Sequence, residues 1–194
     1  MKRVLCFVLS LIVLKGFVSS PASNVIRALA ETYQETERSA MDIKEIFAVT
    51  DSSHFSGDIT EYLHEKTDYG EDLSKLNQFE LTVYFVEELQ SEVMNGGFDQ
   101  YFFNSSGDHW EEAITACEAI GAVQTAGLLQ KAAQAYGCEL PKEREEREAA
   151  IESHARDGYD EELAALDSIF YAYEENVDTL IFDYCQQNKK MFFN

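Results

Sequence analysis

The sequence predicts an all-α fold, a compact multi-helix domain of six to eight helices. Three observations carry this. Apolar residues recur every three to four positions along most of the 194-residue chain, the period of helices buried on one face. There are only two prolines, Pro21 and Pro141, which leaves long stretches free to be helical. Helix boundaries carry their own chemistry: Asn77 with Glu80 three residues on forms a capping-box pattern, and Gly96, Gly121 and Gly137 stand where left-handed stops are needed.

The first segment is read differently. Met1-Lys2-Arg3 is a short basic start, and Val4 to Leu14 runs eleven residues with only Ser10 polar. That run is too short to span a bilayer, which takes about 20 residues. It fits the apolar region of a secretory signal peptide, with Ser20-Pro21-Ala22 as small residues at a cleavage site. An uncleaved anchor or a buried first helix are the competing readings. Residues 1–22 are thus expected to be a signal peptide or apolar N-terminal segment, and residues 23–194 a single acidic helical domain.

Within that domain, Ser23 or Asn24 caps a helix expected to run to about Ala48, with Val25, Leu29, Met41, Ile43 and Phe47 apolar. Residues 49–72 are mixed and polar, a loop with one short helix near Ile59–Glu65. The next helix opens at Asn77 and runs to Met94 on the stripe Phe79, Val83, Val86, Leu89, Val93, stopped by Gly96. Asp108 with Glu111 repeats the capping pattern and opens a helix with Trp110, Ile114, Cys117 and Ile120 on one face. Ala122, Ala126, Leu129, Ala133 and Tyr136 form the following stripe, making a helical hairpin. Pro141 suits the first turn of a helix through Glu143–Ala155; it is almost wholly polar and is expected at the surface. Leu163, Leu166, Phe170 and Tyr173 form one more core stripe, and Val177, Leu180, Ile181 and Tyr184 the last.

Charge limits what the domain can bind. There are 36 Asp and Glu against 15 Lys and Arg, a formal charge of −21. Nucleic acid and anionic membranes would be repelled; a basic partner or a cation would not. The acids concentrate in the flanks, with 16 acids and 4 bases in residues 31–93 and 15 acids and 6 bases in residues 139–194. Catalytic signals are lacking. His54, His64, His109 and His154 are scattered, with no HExxH, no phosphate-binding glycine loop and no GxSxG. Asp157-Gly158-Tyr159-Asp160-Glu161-Glu162 lacks the ligand order of a calcium loop and reads as a turn into a helix whose first turn favours acids. No enzyme activity, no cofactor and no metal is expected. Without residues 1–23 three cysteines remain, Cys117, Cys138 and Cys185, so no disulfide framework follows.

One constellation stands out. Asn95-Gly96-Gly97-Phe98-Asp99-Gln100-Tyr101-Phe102-Phe103-Asn104-Ser105-Ser106-Gly107-Asp108 places two glycines before four aromatics in six residues. The glycines permit a sharp helix-to-helix turn, and the rings supply enough apolar area to anchor a core. Asn104, Ser105 and Ser106 can satisfy the free amides of the next helix. This run, with Glu92-Val93-Met94 before it and Ala119-Ile120-Gly121-Ala122 after it, resembles the C-terminal domain of the bacterial DNA mimic protein family, long listed as a domain of unknown function. Asn95, Gly96, Gly97, Phe98, Gln100, Tyr101, Phe102, Asn104 and Gly107 carry the motif, and the resemblance covers about Leu73 to Tyr136.

The resemblance implies an all-α fold and a protein partner: a basic, DNA-binding protein such as a transcription factor, its surface occupied by an imitation of duplex charge. It leaves homodimerisation open. DNA carries one charge per about 1.7 Å of axis, and residues four apart on a helix lie about 6 Å apart along it, close to the gap between neighbouring phosphates. Glu31/Glu35, Glu88/Glu92 and Glu174/Asp178 have that spacing, and Glu143, Glu146, Asp160, Glu161 and Glu162 add charge. These are the candidate partner-binding residues. Residues 1–22 point the other way, because a mimic needs a cytoplasmic target. The alternative is an exported helical protein of the same fold, without catalysis, whose partner has nothing to do with nucleic acid.

Overall fold

The structure, a computed structural model, describes residues 42–50, 52, 54–172 and 174–193. The expected signal segment, most of the helix expected from Ser23 or Asn24, the candidates Glu31 and Glu35, and Tyr173 lie outside them. Among the described residues there are eight α-helices and no strand, as the periodicity predicts. They are α1 (Ile43–Ile46), α2 (Phe55–Lys66), α3 (Gln78–Phe103), α4 (Trp110–Ile120), α5 (Val123–Ala135), α6 (Arg144–His154), α7 (Tyr159–Tyr171) and α8 (Val177–Gln187). Short 3-10 turns at Leu73–Lys75, Ser105–His109 and Lys189–Met191 join or end them. No helix of the described residues is long and apolar enough to cross a membrane.

Helix α3 is the central element; it packs against α2, α4, α6 and α7. Its start follows the expected chemistry. Asn77 Oδ1 accepts from the amides of Phe79 (2.9 Å) and Glu80 (3.2 Å), and Glu80 returns a carboxylate oxygen to the Asn77 amide at 2.9 Å. The other oxygen of the buried Glu80 takes Lys66 Nζ at 2.6 Å, which ties the end of α2 to the start of α3. Val83, Val86, Leu89 and Val93 are fully buried. In the hairpin of α4 and α5, Gly121 adopts φ +91° and its amide closes on α4, while Ala122, Ala126, Leu129, Ala133 and Tyr136 are buried.

Several boundaries differ from expectation, each for a local reason. Of the helix expected to reach Ala48, the described part is α1, Ile43–Ile46: Asp42 stands before it with a non-helical ψ of 123°, and its side chain accepts the Lys44 amide, since aspartate favours cap positions. The short helix expected at Ile59–Glu65 spans Phe55–Lys66, because Phe55, Ile59 and Leu63 bury one face over three turns. Helix α3 does not end at Met94. It breaks at Gly96 and Gly97 and resumes to Phe103. The left-handed residue is Gly97 (φ +80°), not Gly96 (φ −158°). Pro141 lies ahead of the α6 cap, Glu143, which accepts from the amides of Glu145 and Glu146.

Candidate functional site

The break in α3 is held by α7, one side chain per half. Asp167 Oδ1 accepts the Phe98 amide at 2.8 Å, capping the short second half of α3. One turn along α7, the Tyr171 hydroxyl donates to the Val93 carbonyl at 2.8 Å, the group that an unbroken helix would pair with the Gly97 amide. A Cβ on Gly97 would collide with the Asp167 carboxylate. Burial pushes the Asp167 carboxyl above its ordinary range, against the Phe98 amide, which lowers it. Glu92 bridges the break from the other side: its Oε2 accepts Gln100 Nε2 at 2.7 Å and Asn104 Nδ2 at 2.8 Å.

The turn that follows closes on a buried cation. Arg147, from α6, is fully enclosed. Its Nε donates to the Phe102 carbonyl (2.7 Å), Nη2 to the Asn104 carbonyl and Asp108 Oδ1 (both 2.9 Å), and Nη1 to the carbonyls of Pro141 (3.3 Å) and Lys142. Five N–H groups meet five acceptors, which is what lets a guanidinium be buried. A Cβ on Gly107 would lie 2.7 Å from the Tyr101 carbonyl and 2.9 Å from Arg147 Nη2, so glycine is required there. This overturns three expectations. Helix α6 is not merely a surface helix, since Arg147 and Ile151 are buried. Asp108 does not cap α4; Arg147 takes it, and the cap position is His109, without a side-chain cap bond. Asn104 stands at the N-cap of the 3-10 turn without a side-chain cap bond, its Nδ2 donating instead to Glu92.

The motif residues therefore divide by role. Phe98, Tyr101 and Phe102 are buried, with Phe102 edge-on to Tyr136 at 5.5 Å, and Phe103 is half-buried. Gly96, Gly97 and Gly107 shape the backbone, Gln100 and Asn104 fasten it, and Asn95 is exposed. The motif builds the corner from inside.

The candidate acids are not equivalent. Glu88 Oε1 meets His64 Nε2 at 2.8 Å, and that carboxylate holds the imidazole above its ordinary value; Glu92 is spent on the corner. Asp178 accepts from Ser56 Oγ at 3.1 Å, while Glu174 is exposed. The i,i+4 pairs Glu88/Glu92 and Glu174/Asp178 thus do not stand as free outward pairs. Glu143 caps α6, Glu162 pairs with Arg156, and Glu146, Asp160 and Glu161 are exposed without an ion pair among the described residues. Exposed Glu145, Glu152 and Asp157 belong with them, although the sequence does not place them among the partner-binding candidates. The local bases are used up: Arg144 pairs with Glu148 at 2.9 Å, Arg156 with Glu162, and Arg147 is inside. Helices α6 and α7, with the turn between them, therefore carry a run of exposed carboxylates that no Lys or Arg of the same stretch offsets, referred to below as the ridge.

Sequence reasoning also missed Glu87. It faces the interior between α2, α3 and α8, with Ser56 donating to it and also lying against Asp178. Burial pushes this carboxyl up to about 7, opposed by the Ser56 and Thr60 hydroxyls. Cys117, Cys138 and Cys185 are free thiols. Among the described residues no group of three or more His, Cys, Asp or Glu side chains could hold a metal ion.

No curated protein and no solved structure matches the chain. A family model does: residues 74–188 match the DMP19-like protein family. That span runs from the 3-10 turn before α3 to the end of α8, and contains the corner, Arg147 and the acidic ridge. The chain belongs to the DMP19-like protein family.

Proposed function

We propose that this protein is an acidic protein-binding module that imitates the charge of duplex DNA and occupies the DNA-binding surface of a basic protein, such as a transcription factor. The observation that carries the reading is the ridge on α6 and α7. Glu145, Glu146, Glu152, Asp157, Asp160 and Glu161 are exposed, and the three arginines of the same stretch are paired or buried. Such a surface repels nucleic acid and attracts a cationic face. Membership of the DMP19-like family supports it. The module needs no cofactor and performs no catalysis in this reading.

The test is capture of a partner from the host's cytosol by the full chain, at low and at physiological salt, beside a variant with Glu145, Glu146, Asp160 and Glu161 changed to Gln. The reading expects a basic partner, held at low salt, released as screening shortens to about 10 Å, and weakened by the variant. Equal capture by both proteins at both salts would contradict it.

A second reading rests on residues 1–22, with their basic start and eleven-residue apolar run. In it the same fold is exported and meets a partner outside the cytoplasm. Fractionation of the host with N-terminal sequencing separates the two: loss of about 22 residues supports export, and an intact Met1 in the cytosol supports the mimic.

A further inference from the structure

A cavity of about 330 Å³ lies between the loop after α2, the outer face of α3 and the corner turn. It lies apart from the ridge on α6 and α7, and its chemistry is specific. Aromatic rings form much of its wall: Tyr69, Tyr84, Phe85 and Tyr101. The rings are held against one another and against two histidines. His64 lies 5.6 Å from Tyr84 and 6.3 Å from Tyr69, Tyr84 lies 6.0 Å from Phe85, and Phe85 lies 4.9 Å from His109. Carboxylates complete the lining, with Glu71, Glu88 and Asp108 and no Lys or Arg; Asp108 is paired with Arg147 and Glu88 with His64, while Glu71 is exposed without an ion pair among the described residues. Ser106, also in the lining, has a buried Oγ with no hydrogen-bond partner among the described residues.

The rim is built and held. Asp68, Tyr69 and Gly70 run consecutively at φ +54°, +59° and +91°, a conformation that non-glycine residues adopt at a cost. The Tyr69 amide bonds the His64 carbonyl at 2.7 Å, the Gly70 amide bonds Thr67 Oγ1 at 3.1 Å, and Asp68 is paired with Lys75. These contacts fix Tyr69, which is 70% exposed, at the edge of the cavity.

Aromatic faces with carboxylates behind them attract an organic cation, whose charge meets the ring quadrupoles while its apolar part replaces water. We infer that this cavity is a binding site for a guanidinium or alkylammonium group. Glu71 supplies the free negative charge, Glu88 adds to it where His64 is neutral, and Tyr69, Tyr84 and Phe85 supply the aromatic wall. The volume falls within the range of small-molecule sites. The cation comes either from a free small molecule or from an arginine or lysine side chain of a protein, and the site's chemistry is the same for both. The inference does not depend on the ridge or on DNA mimicry.

The test is titration of the ¹⁵N-labelled full chain with ethylguanidinium, with the peptide acetyl-Gly-Arg-Gly-amide, and with the citrulline form of that peptide. The expected result is saturable amide shifts at 69–73 and 105–109, with the citrulline peptide at least about tenfold weaker than the arginine one. Glu88→Gln and Glu71→Gln should each weaken the charged probes, and Glu71 is exposed, so its variant keeps the fold. An arginine peptide that binds more than tenfold tighter than ethylguanidinium assigns the site to a protein side chain; equal binding assigns it to a free cation. Equal affinity for the citrulline peptide, or shifts confined to α6 and α7, would overturn the inference.

Discussion

Asp167 and Phe98, 69 residues apart in sequence, are joined by a 2.8 Å hydrogen bond from the Phe98 amide to the Asp167 carboxylate. That bond makes the break in α3 a capped helix start instead of a frayed one. It is possible because Gly97 has φ +80° and no Cβ to meet the carboxylate. Gly97→Ala should therefore cost roughly 1–3 kcal/mol, and Asp167→Ala about 1 kcal/mol as the loss of a cap. Gly96→Ala should cost less, since its φ of −158° lies outside the left-handed region and the obstacle is the Gln100 side chain, whose displacement costs its bond to Glu92. Urea unfolding of the three variants checks the order; equal losses at Gly96 and Gly97 would refute it.

Arg147 should be the most sensitive polar position. Arg147→Ala leaves the Phe102 and Asn104 carbonyls and Asp108 without their donor, a loss of roughly 3–5 kcal/mol by comparison with other broken buried pairs. Arg147→Lys should recover only part of it, because one ammonium cannot reach five acceptors in a fork. Phe102→Ala should cost a similar 3–5 kcal/mol as a core truncation. Thermal melting compares them, and an Arg147→Ala protein that melts like the parent would contradict the role assigned to this side chain.

Stability should carry a pH signature from Glu87. Its folded carboxyl titrates at about 7, above the ordinary 4.5, so the folded state binds the proton more tightly. Its contribution to stability is present at low pH and falls as pH rises through 4.5 to 7, by roughly 3 kcal/mol in all. His64, held above its ordinary value by Glu88, acts with the same sign: its contribution is full below 6.5 and is lost as pH rises through the folded value. Glu87→Gln removes the first effect and, because Glu87 also helps to raise His64, trims the second in the same direction. Denaturant titrations between pH 5 and 8 should show the variant gaining on the parent as pH rises. Parallel curves would mean that Glu87 is charged in the fold throughout.

Much of this architecture was legible in sequence because helix period and capping are local. Asn77 and Glu80 form the box they spell, and Gly121 stops α4 as its position requires. The polar interior was not read, although its spacing was present. Arg147 lies one turn before Ile151, Asp167 falls within the stripe of Leu163, Leu166 and Phe170, and Glu87 lies one turn after Val83. Each shares the buried face of its helix. A count of apolar residues passes over them because their burial depends on partners distant in the chain, such as Phe102, Phe98 and Ser56. The acid pairs failed for the related reason that spacing does not show which carboxylates the fold already uses. Glu88 is held by His64 and Glu92 by Gln100 and Asn104.

Partner binding should follow the ridge in its kinetics. Charge reversal at Glu145, Glu146, Asp160 and Glu161 should slow association more than it speeds dissociation, because exposed charges act mainly by steering. Reversal at Glu92 should instead lower stability, since that carboxylate holds Gln100 and Asn104. Stopped-flow association beside thermal melting distinguishes the two effects, and an unchanged association rate for the ridge variant would remove the ridge from the interface.

The most direct measurement of the central claim is competition. The captured basic partner is bound to fluorescent duplex DNA and titrated with the full chain at low and at physiological salt. The account predicts that the protein displaces the DNA, that the charge-reversed ridge variant does not, and that displacement weakens as salt rises. A ternary complex, in which the partner holds DNA and this protein at once with an affinity indifferent to salt, would contradict it.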